Sequence, residues 1–73
     1  MKIIYNWLFI NRLRHDAEPC SVAINLNNVT QITEEYDNQF ETCVVIHTSD
    51  HKSIPVEGNL IDVLAEIQNY LFN

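Results

Sequence analysis

His47, Asp50 and His51 are the one compact cluster of possible metal ligands in this chain. Imidazole nitrogens and a carboxylate suit zinc, which needs three or four such ligands to be held at a functional site. The two histidines have the i, i+4 spacing that places a ligand pair on one helix face. Here they flank Ser49-Asp50-His51-Lys52, a hairpin signal that follows β-branched Val44, Val45 and Ile46, so the spacing lacks its helical geometry. The imidazoles could converge with Asp50 at the hairpin mouth, but no further ligand lies at a matching spacing. His15-Asp16 is a loop dipeptide with nothing to join. The expectation is no metal and no cofactor.

Other chemistries meet similar obstacles. Gly58 is the sole glycine, so there is no phosphate-cradling loop, no dinucleotide fingerprint and no Gly-x-Ser-x-Gly elbow. Glu34 and Glu35 fall on opposite faces of a strand and cannot share a proton. Cys20 and Cys43 sit in apolar strand patterns of a chain read as cytosolic, which makes them buried free thiols. A chain of 73 residues keeps little volume for a ligand pocket once its core is filled. No catalytic residue is assigned, and the chain reads as non-enzymatic.

The elements that would position these groups follow from periodicity. Residues 2–10 read as one strand that is apolar on both faces, Ile3, Tyr5, Trp7 and Phe9 against Ile4, Leu8 and Ile10. That run is interrupted by Asn6, lacks a cleavage site and is too short to cross a bilayer, so it is neither a signal peptide nor a membrane span. After a charged connection from Asn11 to Pro19, Cys20 to Leu26 alternates as a half-buried strand with Val22, Ile24 and Leu26 on one face. Asn27-Asn28 marks a turn, and the three-residue step from Val29 to Ile32 predicts a bulged or bent strand to about Glu35. Tyr36-Asp37-Asn38-Gln39 is the next turn, Thr42 to Thr48 the strongest strand, and Ser53 to Val56 a short return strand that Pro55 places at an edge or ends.

Gly58 leads into a helix over about 59–72, with Asn59 as N-cap and Asp62 in the first turn. Leu60, Leu64, Ile67 and Leu71, widened by Val63, make one apolar row. Ile61, Ala65 and Phe72, with Gln68 between, make a second row roughly 100° around. The chain is therefore expected to form one α+β domain, a four- to five-stranded antiparallel sheet with one C-terminal amphipathic helix packed on one face.

Ten acids against four bases give a net charge of −6. No Lys or Arg falls between Arg14 and Lys52, a span that holds Asp16, Glu18, Glu34, Glu35, Asp37, Glu41 and Asp50. Such a field repels phosphate backbones and argues against direct nucleic-acid binding. It serves solubility, or it meets a basic partner.

The run Ile24-Asn25 to Val29, Ile32 and Glu35, then Val44-Val45-Ile46-His47-Thr48, a polar turn, Ile54-Pro55-Val56 and the terminal amphipathic helix resembles the small FlbD-type proteins of bacterial flagellar operons. The likeness covers residues 22 to 70 or so and rests on spacing. The Asn-Gly turns usual in that family are replaced by Ser49-Asp50-His51-Lys52. The resemblance implies a non-enzymatic accessory protein and carries over no catalytic residue.

Most of the aromatic residues read as core or cross-strand pairs. Trp7 and Phe72 are the exceptions, because one helix cannot cover both faces of the first strand and Phe72 lies on the second helical row. If both are exposed they form an apolar patch that an isologous dimer would bury, with Trp7, Ile61, Ala65, Gln68 and Phe72 as its residues. Three readings follow. The first is a small cytosolic regulatory or accessory module acting by protein–protein contact as a homodimer. The second is an inhibitor presenting Glu34, Glu35, Asp37 and Glu41 to a basic nucleic-acid-binding protein. The third is a metal or ligand sensor using His47, Asp50 and His51. The first is preferred.

Overall fold

The computed structural model describes residues 1–71. It is α+β, a six-stranded antiparallel sheet and one C-terminal helix. The strands are β1 Lys2–Ile4, β2 Trp7–Arg12, β3 Cys20–Asn25, β4 Val29–Asp37, β5 Glu41–Thr48 and β6 Ser53–Val56, followed by α1 Leu60–Leu71.

The expected single strand over 2–10 is a hairpin instead. Ile4 pairs with Trp7 across a two-residue turn in which Tyr5 takes a positive φ of 55°. The turn resets the alternation, so Ile3, Leu8 and Ile10 share the core face while Ile4, Trp7 and Phe9 share the other. It also accounts for the strand beyond the expected four or five.

β2 organises the sheet. Leu26 N–H donates to the Asn6 carbonyl at 2.8 Å, which puts β3 along one edge of β2. The other edge meets β1 over Trp7 to Phe9 and β6 at Arg12↔Val56, where Glu57 N–H donates to Asn11 O at 2.9 Å. β5 pairs with β6 on one side and β4 on the other. The expected bulge in β4 lies between Val29 and Gln31. β3 and β4 each pair with one strand only, yet a three-residue 3-10 turn, Leu26–Asn28, joins them. The four steps from Asn25 to Val29 reach at most about 14 Å, so the sheet curls to bring its ends together there.

β6 is interior in the strand order, not at an edge. Pro55 is tolerated because Val45↔Pro55 lies between hydrogen-bonded pairs, so its missing donor faces away from β5; its carbonyl accepts from Leu13 N–H at 2.9 Å.

The core holds Leu8, Ile10, Ile24, Val44, Ile46, Val56 and Val63. α1 begins as expected, with Asn59 Oδ1 accepting from Asp62 N–H and Asn59 Nδ2 donating to Asp62 Oδ2, both at 2.9 Å. Gly58 supplies the positive φ of 111° that turns the chain into the helix. Val63 is fully buried, flanked by Leu60 and Ile67. Leu64, expected on the inner row, is 45% exposed, because an apolar arc this wide leaves the rotation of the helix to the sheet.

Candidate interaction surfaces

The sheet face opposite α1 is closed at one end and open at the other. Over β5 and β6 it carries Cys43 and Val45, both buried. The loop after β2 is tied to this end. Leu13 bonds to Pro55, the His15 ring stacks on Phe40 with centroids 4.7 Å apart, and His15 Nε2 lies 3.1 Å from Asp37 Oδ2. Burial first, then the charges of Asp37 and Glu35, push the Cys43 thiol up and keep it protonated and inert.

Over β1, β2 and β3 the same face is open. Ile4 is 45%, Trp7 43% and Phe9 37% exposed. The register sets them in cross-strand rows, Ile4–Trp7–Asn25 and Lys2–Phe9–Ala23. Strand alternation explains the placement, since Leu8 and Ile10 must face α1 and their neighbours cannot.

The helical row is exposed as well, with Ile61 at 79% and Leu64, Ala65 and Gln68 outward. It does not join Trp7 in one patch. α1 lies on the core face, so the sheet separates Trp7 from Ile61, Ala65 and Gln68. Phe72 lies outside the described residues, as does the side chain of Leu71. Leu64 belongs to the exposed row, which the sequence placed inside.

The four acidic candidates occupy the β4–β5 hairpin without sharing one face. Glu35, Asp37 and Glu41 fall on the face of Cys43 and Val45, whereas Glu34 pairs with Val44 and falls on the other. Glu34, Glu35 and Glu41 are exposed and Asp37 is half-buried. Two of them are engaged internally. Asp37 Oδ1 accepts from Gln39 N–H at 2.8 Å and Phe40 N–H at 3.3 Å. The Gln39 amide first, then Phe40 and His15, hold its carboxyl below the usual Asp range against partial desolvation.

The histidine cluster does not gather. His47 lies on the face away from the core, its Nε2 2.9 Å from Thr33 Oγ1 and 3.0 Å from Glu35 Oε2, its Nδ1 3.0 Å from Ser53 Oγ. Asp50 instead accepts from the Thr48 hydroxyl and sits 3.6 Å from Lys52 Nζ, and His51 occupies the turn with a φ of 67°. Among the described residues no three His, Cys, Asp or Glu side chains are placed to hold a metal.

Sequence reasoning missed the Thr33–Glu35–His47–Ser53 network. Thr33 and Glu35 share a face by alternation, but their meeting with His47 depends on the β4–β5 register, which no local pattern announces. Ser53, His47 and Glu35 have the connectivity of a nucleophile, base and orienting acid. Thr33 and His47 are half-buried and Glu35 and Ser53 exposed, so the four groups lie together on an outward sheet face. The network clasps β4, β5 and β6 together.

The Thr33 hydroxyl first, then His47, lowers the Glu35 pKa against desolvation, and the Thr48 hydroxyl lowers that of Asp50. Depressed folded-state values mean that Glu35, Asp37 and Asp50 add stability that is complete above their unfolded pKa and lost as pH falls through the folded ones. Acid titration followed by circular dichroism should therefore show stability falling below about pH 4. Asp37→Ala should flatten that fall and slightly lower stability at neutral pH. An acid limb identical to wild type would remove Asp37 from the account.

Comparison with protein-family models, curated proteins and solved structures finds no match to this chain. Among the described residues no helix is long and apolar enough to cross a membrane.

Proposed function

We propose that this chain is a non-enzymatic, acidic accessory module of the cytoplasm that acts by protein–protein contact and works as a homodimer. The observation that carries the reading is the open sheet face of β1, β2 and β3, where Ile4, Trp7 and Phe9 stand exposed side by side. A 73-residue chain has few large apolar side chains to spare from its core, and three together outside it mark a contact surface. Trp is among the side chains that anchor interfaces most strongly, and Phe is enriched at interface cores. The FlbD-type likeness agrees with a non-enzymatic role.

The exposed acids of the β4–β5 hairpin favour a second reading, an inhibitor that occupies a basic nucleic-acid-binding groove. It is the weaker one, since Glu34 faces away from Glu35, Asp37 and Glu41, and two of those three are held by His47 and His15.

Charge reversal separates the two. Changing Glu34, Glu35, Asp37 and Glu41 to Lys should leave the dimer mass unchanged in light scattering, because these residues lie on β4 and β5, at the other end of the sheet from β1, β2 and β3. Loss of the dimer in a variant that keeps its circular dichroism spectrum would move the contact to the hairpin and sink the face reading.

A further inference from the structure

We propose that the second copy joins along the free edge of β3, in antiparallel register about Ala23, to make one continuous sheet. This rests on the homodimer reading above and names its seam.

The three strands that pair along one edge differ in how that edge is protected. β1 has three residues, one of them Lys2. β4 carries Glu34, Glu35 and Asp37 and is bulged between Val29 and Gln31. Charge, brevity and bulges are the devices that keep edges from pairing. β3 has none of them. It runs Cys-Ser-Val-Ala-Ile-Asn, six residues without charge, proline or bulge.

Its geometry suits a two-fold axis. Leu26 N–H bonds to Asn6, so by alternation Cys20, Val22 and Ile24 direct their backbone groups to β2. Those of Ser21, Ala23 and Asn25 point outward, and β3 pairs with no strand on that side among the described residues; only the Asn25 carbonyl is engaged, as the N-cap of the 3-10 turn that follows. Centring the axis on Ala23 pairs Ala23 with its own copy and Ser21 with Asn25, on the order of four to six hydrogen bonds, since the Asn25 carbonyl already serves the turn. Centring it on Val22 or Ile24 leaves an outward residue of each copy unused.

Side chains agree. On the core side Val22 meets Ile24 of the second copy, a β-branched pair. On the open side Ser21, Ala23 and Asn25 are short, and Phe9 stands beside Ala23. Strands about 4.8 Å apart put the two β2 strands about 14 Å apart across the seam, so the Phe9 rings can lean over the paired alanines toward each other. The acids of β4 lie on a different edge.

Two measurements test this. The first is amide hydrogen exchange of the wild-type dimer, read at Ser21, Ala23 and Asn25. These amides should be protected at high protein concentration and open on dilution. Open-amide exchange in a sample that light scattering shows to be dimeric would overturn the edge seam while leaving the face reading intact. A wild-type monomer at all concentrations would overturn both. The second uses Ala23→Lys and Ala23→Glu, whose like charges would stand directly opposite each other. Each alone should raise the dimer dissociation constant roughly fivefold or more, and an equal mixture should restore the dimer. Dimers of each variant as tight as wild type would refute the register.

Discussion

Trp7→Glu combined with Phe9→Glu is expected to convert the dimer to a monomer that keeps its fold. Both side chains point away from the core, at 43% and 37% exposure, and their strand neighbours Leu8 and Ile10 supply the packing that holds β2 in place. Both side chains are still more than half covered in the monomer, so the folded monomer loses on the order of 1–2 kcal/mol, and the mass is to be read under conditions where circular dichroism shows the variant folded. The dimer loses two aromatic anchors and gains carboxylates on the contact face, on a chain whose charge is already −6. Truncating one interfacial aromatic anchor commonly removes about 2 kcal/mol or more of binding free energy, roughly thirtyfold in dissociation constant. Circular dichroism should be unchanged while the mass halves. A double variant that stays dimeric would show that this face is not the contact. Ile61→Glu serves as the comparison. The sheet separates it from Trp7, so it should leave the dimer as it is.

Leu8→Ala is expected to unfold the chain. Leu8 has no exposed surface and lies opposite Ile3 on β1 and Ile24 on β3, on the strand that also reaches β6. Removing a buried leucine side chain typically destabilises a protein by about 2–5 kcal/mol, through lost transfer free energy and the cavity left behind. A single core in a chain of this size rarely supplies more than about 3–5 kcal/mol of net stability. The two figures overlap, so the folded fraction should collapse near room temperature, or the midpoint in urea should fall close to zero. Ile61→Ala, at 79% exposure, should stay near wild type. A Leu8→Ala protein with a wild-type midpoint would contradict the placement of β2 at the centre of the core.

Much of this fold is legible from local pattern. The helix start follows from Asn59 and Asp62, β5 from its run of β-branched residues, and the bulge after Val29 from an apolar step of three in a strand context. Local pattern failed where a signal was masked. The first hairpin escapes notice because Tyr5 is not a usual positive-φ residue and the apolar run continues through it. Pro55 points to an edge, and only the pairing of Val45 with Pro55 shows that its imide faces the thinly bonded side of β6. The rotation of α1 follows from neither propensity nor capping, which is why Leu64 came out where Val63 was needed inside.

The candidate surfaces were readable to a similar depth. Trp7, Ile61, Ala65 and Gln68 are exposed as the two-sided pattern suggests. That they lie on opposite sides of the sheet requires knowing which face of β2 the helix covers. The His47 network requires the register of β4 against β5, and the free edge of β3 requires the strand order. Each depends on strand register or order, which composition does not announce even where the partners are close in sequence, as in the His47 network, whose members are 6 to 14 residues apart.

The most direct test of self-association is the solution mass of the wild-type chain by light scattering across a concentration series. The mass should be twice the 8.5 kDa chain mass at high concentration and fall toward the chain mass on dilution. A mass that stays at one chain throughout would contradict it, and would leave the open face of β1, β2 and β3 to a different protein.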